Sequence, residues 1–379
     1  CSSDLANGAP GDNNDFGALY TFRNNGTAWL EQGKLDGNDG TGLKQYQGCS
    51  VAISGNGNQI VSGGYGDNSS IGAMWIFGRS GNGPYWEQLG SKIVGTGYSG
   101  ASQQGYSVQI SLNGAVLASG APGDDGGTGA VWVYYSSGFG QAYTQMGSKL
   151  VGTGSIGNAH QGTSVALSGN GNVLASGGST DNNSIGAVWI FRYNGTVWNQ
   201  VGNKLVGTGY VGASKQGYSV TLSGDGSQLV VGGYQDDSGI GAIWMFLLNS
   251  TSGVWDQQGD KLVGTGYSSS SPWQGYSVSM SPDGHTVAVG GIRNSNSTGS
   301  IWMYHYDDAW SQIAVLQGGG YIGKGGIYEG SSVSLTTNGT ILATGGYGDN
   351  QSVGATWTFD LLPNDSPAPI DAATVAAIS

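Results

Sequence analysis

An all-β, seven-bladed β-propeller with four-stranded antiparallel blades is the fold this sequence predicts. Three observations carry it: a fixed internal period, four apolar alternating segments per copy, and tight-turn residues between them. Segments of the type Gly186-Ala187-Val188-Trp189-Ile190-Phe191 recur, and place one aromatic each at Tyr20, Trp75, Trp132, Trp189, Trp244, Trp302 and Trp357. These lie 55, 57, 57, 55, 58 and 55 residues apart. A constant period of roughly 40–60 residues with several strands per copy marks a radial propeller, because each unit buries its two faces only against neighbours. Blades are expected at about 1–40, 41–98, 99–155, 156–210, 211–267, 268–320 and 321–361.

Each strand follows from its residues. Strand A reads as Gly217-Tyr218-Ser219-Val220-Thr221-Leu222-Ser223, and the Gly224-Asp225-Gly226 turn after it tolerates the positive φ of a tight hairpin. Strand B is apolar and ends in Gly-Gly, as at Leu229 to Gly233. Strand C is the aromatic segment, and its Trp-x-Phe alternation sends both rings to one face, into the core between blades. Strand D reads Trp-x-Gln-x-Gly-x-Lys-Leu, as at Trp198 to Leu205. Lys92, Lys149, Lys204 and Lys261 on this outermost strand are expected to guard an exposed edge against pairing, or simply to be solvated.

Seven B and C strands stand against six A and six D, so the first blade lacks A and the last lacks D. Residues 362–379 form a Pro-rich linker followed by Thr374-Val375-Ala376-Ala377-Ile378-Ser379, which loosely echoes Ser50-Val51-Ala52-Ile53-Ser54. That tail is expected to supply the missing A strand. Closure within its own chain is favoured because it avoids the entropy of association, and insertion into a neighbouring subunit is the alternative.

Composition fits this frame and removes some function classes. Glycine supplies 74 of 379 residues, Trp and Tyr 32, and charged residues 9 %. A net charge of −12 leaves no basic stripe for nucleic acid or anionic membranes, and no apolar run is long enough to span a bilayer. Sequons occur at Asn25, Asn68, Asn182, Asn194, Asn249, Asn296, Asn338, Asn350 and Asn364, nine of 25 asparagines, which is more than Ser and Thr content gives by chance. The chain is therefore expected to be secreted or cell-surface, and glycosylated. Cys1 and Cys49 are expected to form a disulfide, because Cys49 opens the A strand beside the chain start. Cys1-Ser2-Ser3 also reads as a lipid-modified start.

The A and B strands resemble FG-GAP repeats, the units of integrin-α-type propellers, on strand order and on Gly8-Ala9-Pro10 and Gly120-Ala121-Pro122. Units such as Ser164 to Asn172 with Gly186 to Phe191 also resemble extracellular repeat proteins of no assigned activity. The resemblance implies the propeller over about residues 5–360. It also implies calcium loops in some members, but the turns here carry at most one carboxylate, so no metal is expected. Glutamine or glutamate (Gln47, Gln104, Gln161, Gln216, Gln274, Glu329) stands where the family has Phe.

No catalytic residue, cofactor or metal ligand is expected. Paired Asp and Asn in the B–C loops, such as Asp67-Asn68 and Asp236-Asp237, fit turn formation better than a carboxylate site. Three GxGxxG matches, opening at Gly95, Gly152 and Gly207, join strand D to the next A with no helix to receive a phosphate. His160, His285 and His305 fall at unrelated repeat positions. Aromatics on the D–A connections (Tyr98, Tyr210, Tyr267, Trp273, Tyr321) are the candidate ligand-binding residues, sharing one face with the B–C loops. They equally suit capping of the inter-blade core. The function expected is that of a non-enzymatic extracellular structural or adhesive protein that presents or polymerises a rigid propeller, with self-association as its partner mode. The alternative is a lectin binding glycans on the loop face.

Overall fold

Hairpins between strands A and B form where the turn residues tolerate positive φ. At Ser168-Gly169-Asn170-Gly171, Ser168 Oγ donates to Asn170 Oδ1 at 2.8 Å, and Gly171, at φ 74°, donates its N–H to Ser168 O at 2.8 Å. Strand A (Ser164–Leu167) thereby folds back on B (Val173–Gly178), B on C (Ala187–Tyr193), and C on D (Trp198–Gln200), all antiparallel. Repetition of this unit gives seven antiparallel sheets, and the protein is an all-β seven-bladed β-propeller.

The computed structural model describes residues 4–80, 83, 85–323 and 326–361. Among these, five sheets have four strands. The first (Asp4–Ala9, Ala18–Asn24, Trp29–Leu35) and the seventh (Ser332–Leu335, Ile341–Gly346, Ala355–Asp360) have three, lacking A and D respectively. The expected completion of the first sheet by residues 362–379 lies outside the described residues.

Strands B and C are joined by a four-residue coil whose middle is left-handed. In Asp181–Ser184, Asn182 and Asn183 have φ of 48° and 56°, and Asp or Asn suits such a backbone better than most residues. Glycine ends the coil for a steric reason. A Cβ on Gly129 (φ +78°) would stand 2.2 Å from Gln161 O, where the two residues bridge.

By contact density the described chain divides into two compact units. The first runs to Asn183 and takes in Ala187–Leu205, and the second holds Ser184–Gly186 and the segment from Val206 onward. In the first unit, Val61, Met74, Ile76, Val108, Leu117, Trp132 and Tyr134 pack into one inter-sheet core, and Leu19, Ile60, Trp75 and Phe77 into another. A buried ion pair also sits there: Arg79 meets Asp4 at 2.6 Å, donates to Gln32 Oε1 at 3.0 Å, and lies 4.7 Å over Trp86. In the second unit, Val230, Met245, Val289 and Trp302 form one core, and Ile301, Met303, Leu342, Trp357 and Phe359 form another. The strand C tryptophans are buried throughout, as their alternation predicts.

Candidate functional site

Most residues that look chemical in the sequence belong to one repeated structural network. The first residue of the B–C coil is a carboxylate in every sheet but the sixth, where Asn294 stands, and it is fully enclosed at Asp67, Asp124, Asp181 and Asp236. One oxygen accepts a backbone N–H from the preceding D–A loop: Ser99 to Asp124 at 2.8 Å, Ile156 to Asp181 at 2.7 Å, Val211 to Asp236 at 2.7 Å. The other takes the strand D lysine of its own sheet. Lys92 pairs with Asp67 at 2.6 Å, Lys149 with Asp124, Lys204 with Asp181, and Lys261 with Asp236. The reading of these lysines as edge guards or solvated charges is corrected: each neutralises a carboxylate that burial would otherwise leave unpaired.

The glutamine that ends each D–A loop but the last, where Glu329 stands, makes a second fixed contact. Gln161 Oε1 accepts the Gly152 N–H at 2.6 Å and its Nε2 donates to Gly152 O at 2.9 Å. Gly152 has no room for a side chain, since a Cβ would meet Trp189 at 2.0 Å. Trp189 Nε1 in turn donates to Thr153 O at 2.8 Å, and Thr153 N–H donates to Gln200 Oε1 at 2.7 Å. The GxGxxG matches are thus the seat of the next tryptophan. The same bonds hold Gly95, Gly207 and Gly264.

A different cluster lies in the second unit, at the start of strand A and the end of strand B. Trp273 is held left-handed at φ 61° by its N–H bond to Gly239 O at 2.9 Å, and the Tyr276 N–H turns back to Trp273 O at 3.3 Å. Tyr234 follows the Gly-Gly of strand B. Its ring is 4.8 Å from Trp273, 4.5 Å from Tyr218 and 5.5 Å from Tyr276. Arg293, exposed, lays its guanidinium 3.6 Å over the Trp273 ring, a cation–π contact. Tyr328 and Tyr347 stack at 4.8 Å beside it. Burial, and the neighbouring phenols Tyr276 and Tyr328, push the Tyr347 hydroxyl up to about 12, so it is a proton donor at neutral pH. Lys215 occupies, one repeat earlier, the position of Trp273. Neither Lys215 nor Arg293 is ion-paired among the described residues.

Of the candidate aromatics, only Trp273 joins this cluster. Tyr98, Tyr210, Tyr267 and Tyr321 stand 38–40 % exposed on D–A loops of different repeats, and none stacks on another ring among the described residues. Tyr218, Tyr234, Tyr276 and Arg293 were missed. Their sequence signal is the recurrence of Gly-Tyr-Ser-Val and Gly-Gly-Tyr, which put tyrosine at neighbouring ends of strands A and B. The described sequons all lie in turns. Asn25, Asn194 and Asn249 accept N–H bonds within the C–D hairpins, and Asn338 within an A–B turn. Asn68, Asn182, Asn296 and Asn350 take the left-handed coil positions. Asn364 lies outside the described residues. Cys49 has no disulfide partner among the described residues; burial pushes its thiol up to about 12, and its Sγ lies 3.4 Å from Gly63 O and 3.3 Å from Gly105 O. Its expected pairing with Cys1 lies outside the described residues. Among the described residues no three His, Cys, Asp or Glu side chains converge to hold a metal ion.

No protein-family model and no curated protein matches the sequence. Solved structures do match the fold. A protein from Bacteroides uniformis, provisionally named a 6-phosphogluconolactonase, superposes over 98 % of this chain and 95 % of its own, with TM-score 0.64 and 12 % identity. One of the same provisional name from Bacteroides fragilis covers 94 % and 90 %, with TM-score 0.61 and 14 % identity. A functionally unknown protein from Desulfotomaculum acetoxidans covers 91 % and 89 %, with TM-score 0.58 and 14 % identity. At such identities the likeness shows the fold alone. The expectation of a non-enzymatic structural or adhesive protein, with a lectin as alternative, is corrected: two of these three structures carry an enzyme's name.

Proposed function

We propose that the protein acts on a small anionic sugar derivative, of the phosphorylated sugar lactone class, bound at the aromatic cluster of the second unit. The observation that carries this reading is Arg293 laid on Trp273 among tyrosines, in a chain whose net charge is −12. Arginine matches a phosphate with two parallel N–H bonds, and aromatic faces accept the apolar face of a sugar ring. The names of the two Bacteroides structures supply the substrate class. FG-GAP-like strand order is the finer kinship this reading keeps.

Lactone opening begins with water adding to the carbonyl carbon and giving up a proton to solvent. The tetrahedral oxyanion then collapses, the ring C–O bond breaks, and the leaving oxygen takes up a proton. Arg293 and the protonated Tyr347 phenol would serve by stabilising negative charge, on the phosphate or on that oxyanion. The test is direct: purified chain is mixed with freshly prepared 6-phosphogluconolactone and acid release is followed in a pH-stat. Acceleration over buffer is expected, with kcat/KM reduced about tenfold or more in Arg293→Ala. A rate equal to that of buffer alone would rule the reading out.

A further inference from the structure

Strand D is the outermost strand of every four-stranded sheet, and in sheets two to five the backbone itself cuts it short. There the run Trp-x-Gln-x-Gly-x-Lys-Leu, with Tyr143 for Trp in the third sheet, holds a left-handed glycine: Gly90 at φ 74°, Gly147 at 78°, Gly202 at 64° and Gly259 at 68°. Uninterrupted pairing with strand C therefore ends at Glu87–Gln88, Thr144–Gln145, Trp198–Gln200 and Trp255–Gln257. Charged residues such as Glu87, Asp256 and Asp260 stand exposed along the same edge. Short edge strands and exposed charge both discourage pairing with another chain.

The sixth sheet has lost both devices. Its D strand reads Trp310-Ser311-Gln312-Ile313-Ala314-Val315-Leu316, with neither the glycine nor the lysine, and it runs through eight residues, Ala309–Leu316. One bulge, opposite Met303 and Tyr304, is the only irregularity in its pairing with strand C (Ser300–Asp307). Trp310 and Leu316 pack into cores of the second unit, and Gln312 Oε1 accepts the Thr265 N–H at 2.7 Å. The alternate residues Ala309, Ser311, Ile313 and Val315 are exposed, Ile313 by 56 %. Among the described residues no strand pairs with the outer side of this edge, where the backbone N–H and C=O groups turned away from strand C are a template for another strand. The first sheet's D strand (Trp29–Leu35) is also long, but it exposes Glu31 and Lys34.

We propose that strand Ala309–Leu316 pairs edge to edge with the same strand of a second copy of this chain, antiparallel about a two-fold axis. Charge selects that partner. In a chain of net charge −12, residues 309–323 carry no charged side chain, so two copies meet here without setting like charges opposite one another. Charge also selects the direction. Asp307 and Asp308, both exposed, stand just before the strand. Antiparallel pairing lays them beside the uncharged residues 317–320 of the other copy, whereas parallel pairing would set each against its own counterpart. Such a contact uses the same patch on both copies and closes as a dimer. It does not depend on the reaction proposed above.

The test is sedimentation velocity of the full chain over a roughly hundredfold range of concentration. A reversible monomer–dimer equilibrium is expected, with the amides of Ala309–Leu316 exchanging more slowly as the dimer forms. Ile313→Lys and, separately, Ser311→Lys put a charge at exposed positions, and each is expected to weaken the dimer about tenfold or more at unchanged melting temperature. Leu30→Lys, on the first sheet's edge, is expected to leave the dimer as it was. A chain that stays monomeric throughout overturns the proposal. So does a dimer that the folded lysine variants at 311 and 313 leave intact, or one that Leu30→Lys dissolves. Amide protection over 309–316 that does not vary with concentration overturns it as well, because the edge would then be occupied within a single chain.

Discussion

Glu329 takes the repeat position held elsewhere by Gln104, Gln161, Gln216 and Gln274. It is fully buried, and Gly318 N–H lies 2.8 and 3.0 Å from its two oxygens. Burial pushes its carboxyl from 4.5 up to about 8, and the Gly318 bond only partly opposes that. The folded chain therefore holds the proton over a range where the unfolded chain has lost it. Glu329's contribution is fully present below the unfolded value of 4.5 and is lost as pH rises to about 8. The difference is on the order of 4 kcal/mol at the top of that window. Glu329→Gln, which restores both bonds without a charge, should raise the melting temperature little at pH 5 and by several degrees at pH 8. A constant difference across that range would contradict the argument. None of this is legible from the sequence, where Glu329 reads only as a variant of Gln; its energetic weight comes from enclosure.

At the scale of the element, the strand D lysine and the coil aspartate act as one unit. Lys261→Val leaves Asp236 buried and unpaired, and should destabilise the protein by roughly 3–5 kcal/mol in chemical denaturation. Adding Asp236→Asn should recover most of that loss, since the pair then matches Asn294 and Val315 of sheet six. A single variant as stable as the parent would show that the pairs are incidental. Lysine and aspartate are each plain in the sequence, 25 residues apart at Asp236 and Lys261. Their partnership was hidden because strand D and the B–C coil meet only after the sheet forms. The aromatic cluster was hidden for the same reason. Trp273, Tyr234 and Arg293 come from a loop and from the ends of two B strands, and strand periodicity gives no register between them.

At the scale of the whole molecule, charge is the property the sequence states outright. A net charge of −12 and a pI near 4.3 predict minimum solubility close to pH 4.3, read as a turbidity maximum in a pH series, because repulsion between molecules vanishes there. Clear solutions throughout that region would contradict it. The period of the strand C aromatics, alternation within strands and glycine-rich turns together determined the strand count and the two incomplete sheets. These are local signals, repeated often enough to outweigh any single ambiguity. Tertiary structure alone decided which polar side chains are satisfied and which rings touch Arg293. The physical reason is that burial and pairing are properties of contacts between segments far apart in the chain, and a period specifies that such segments meet without specifying which atoms do.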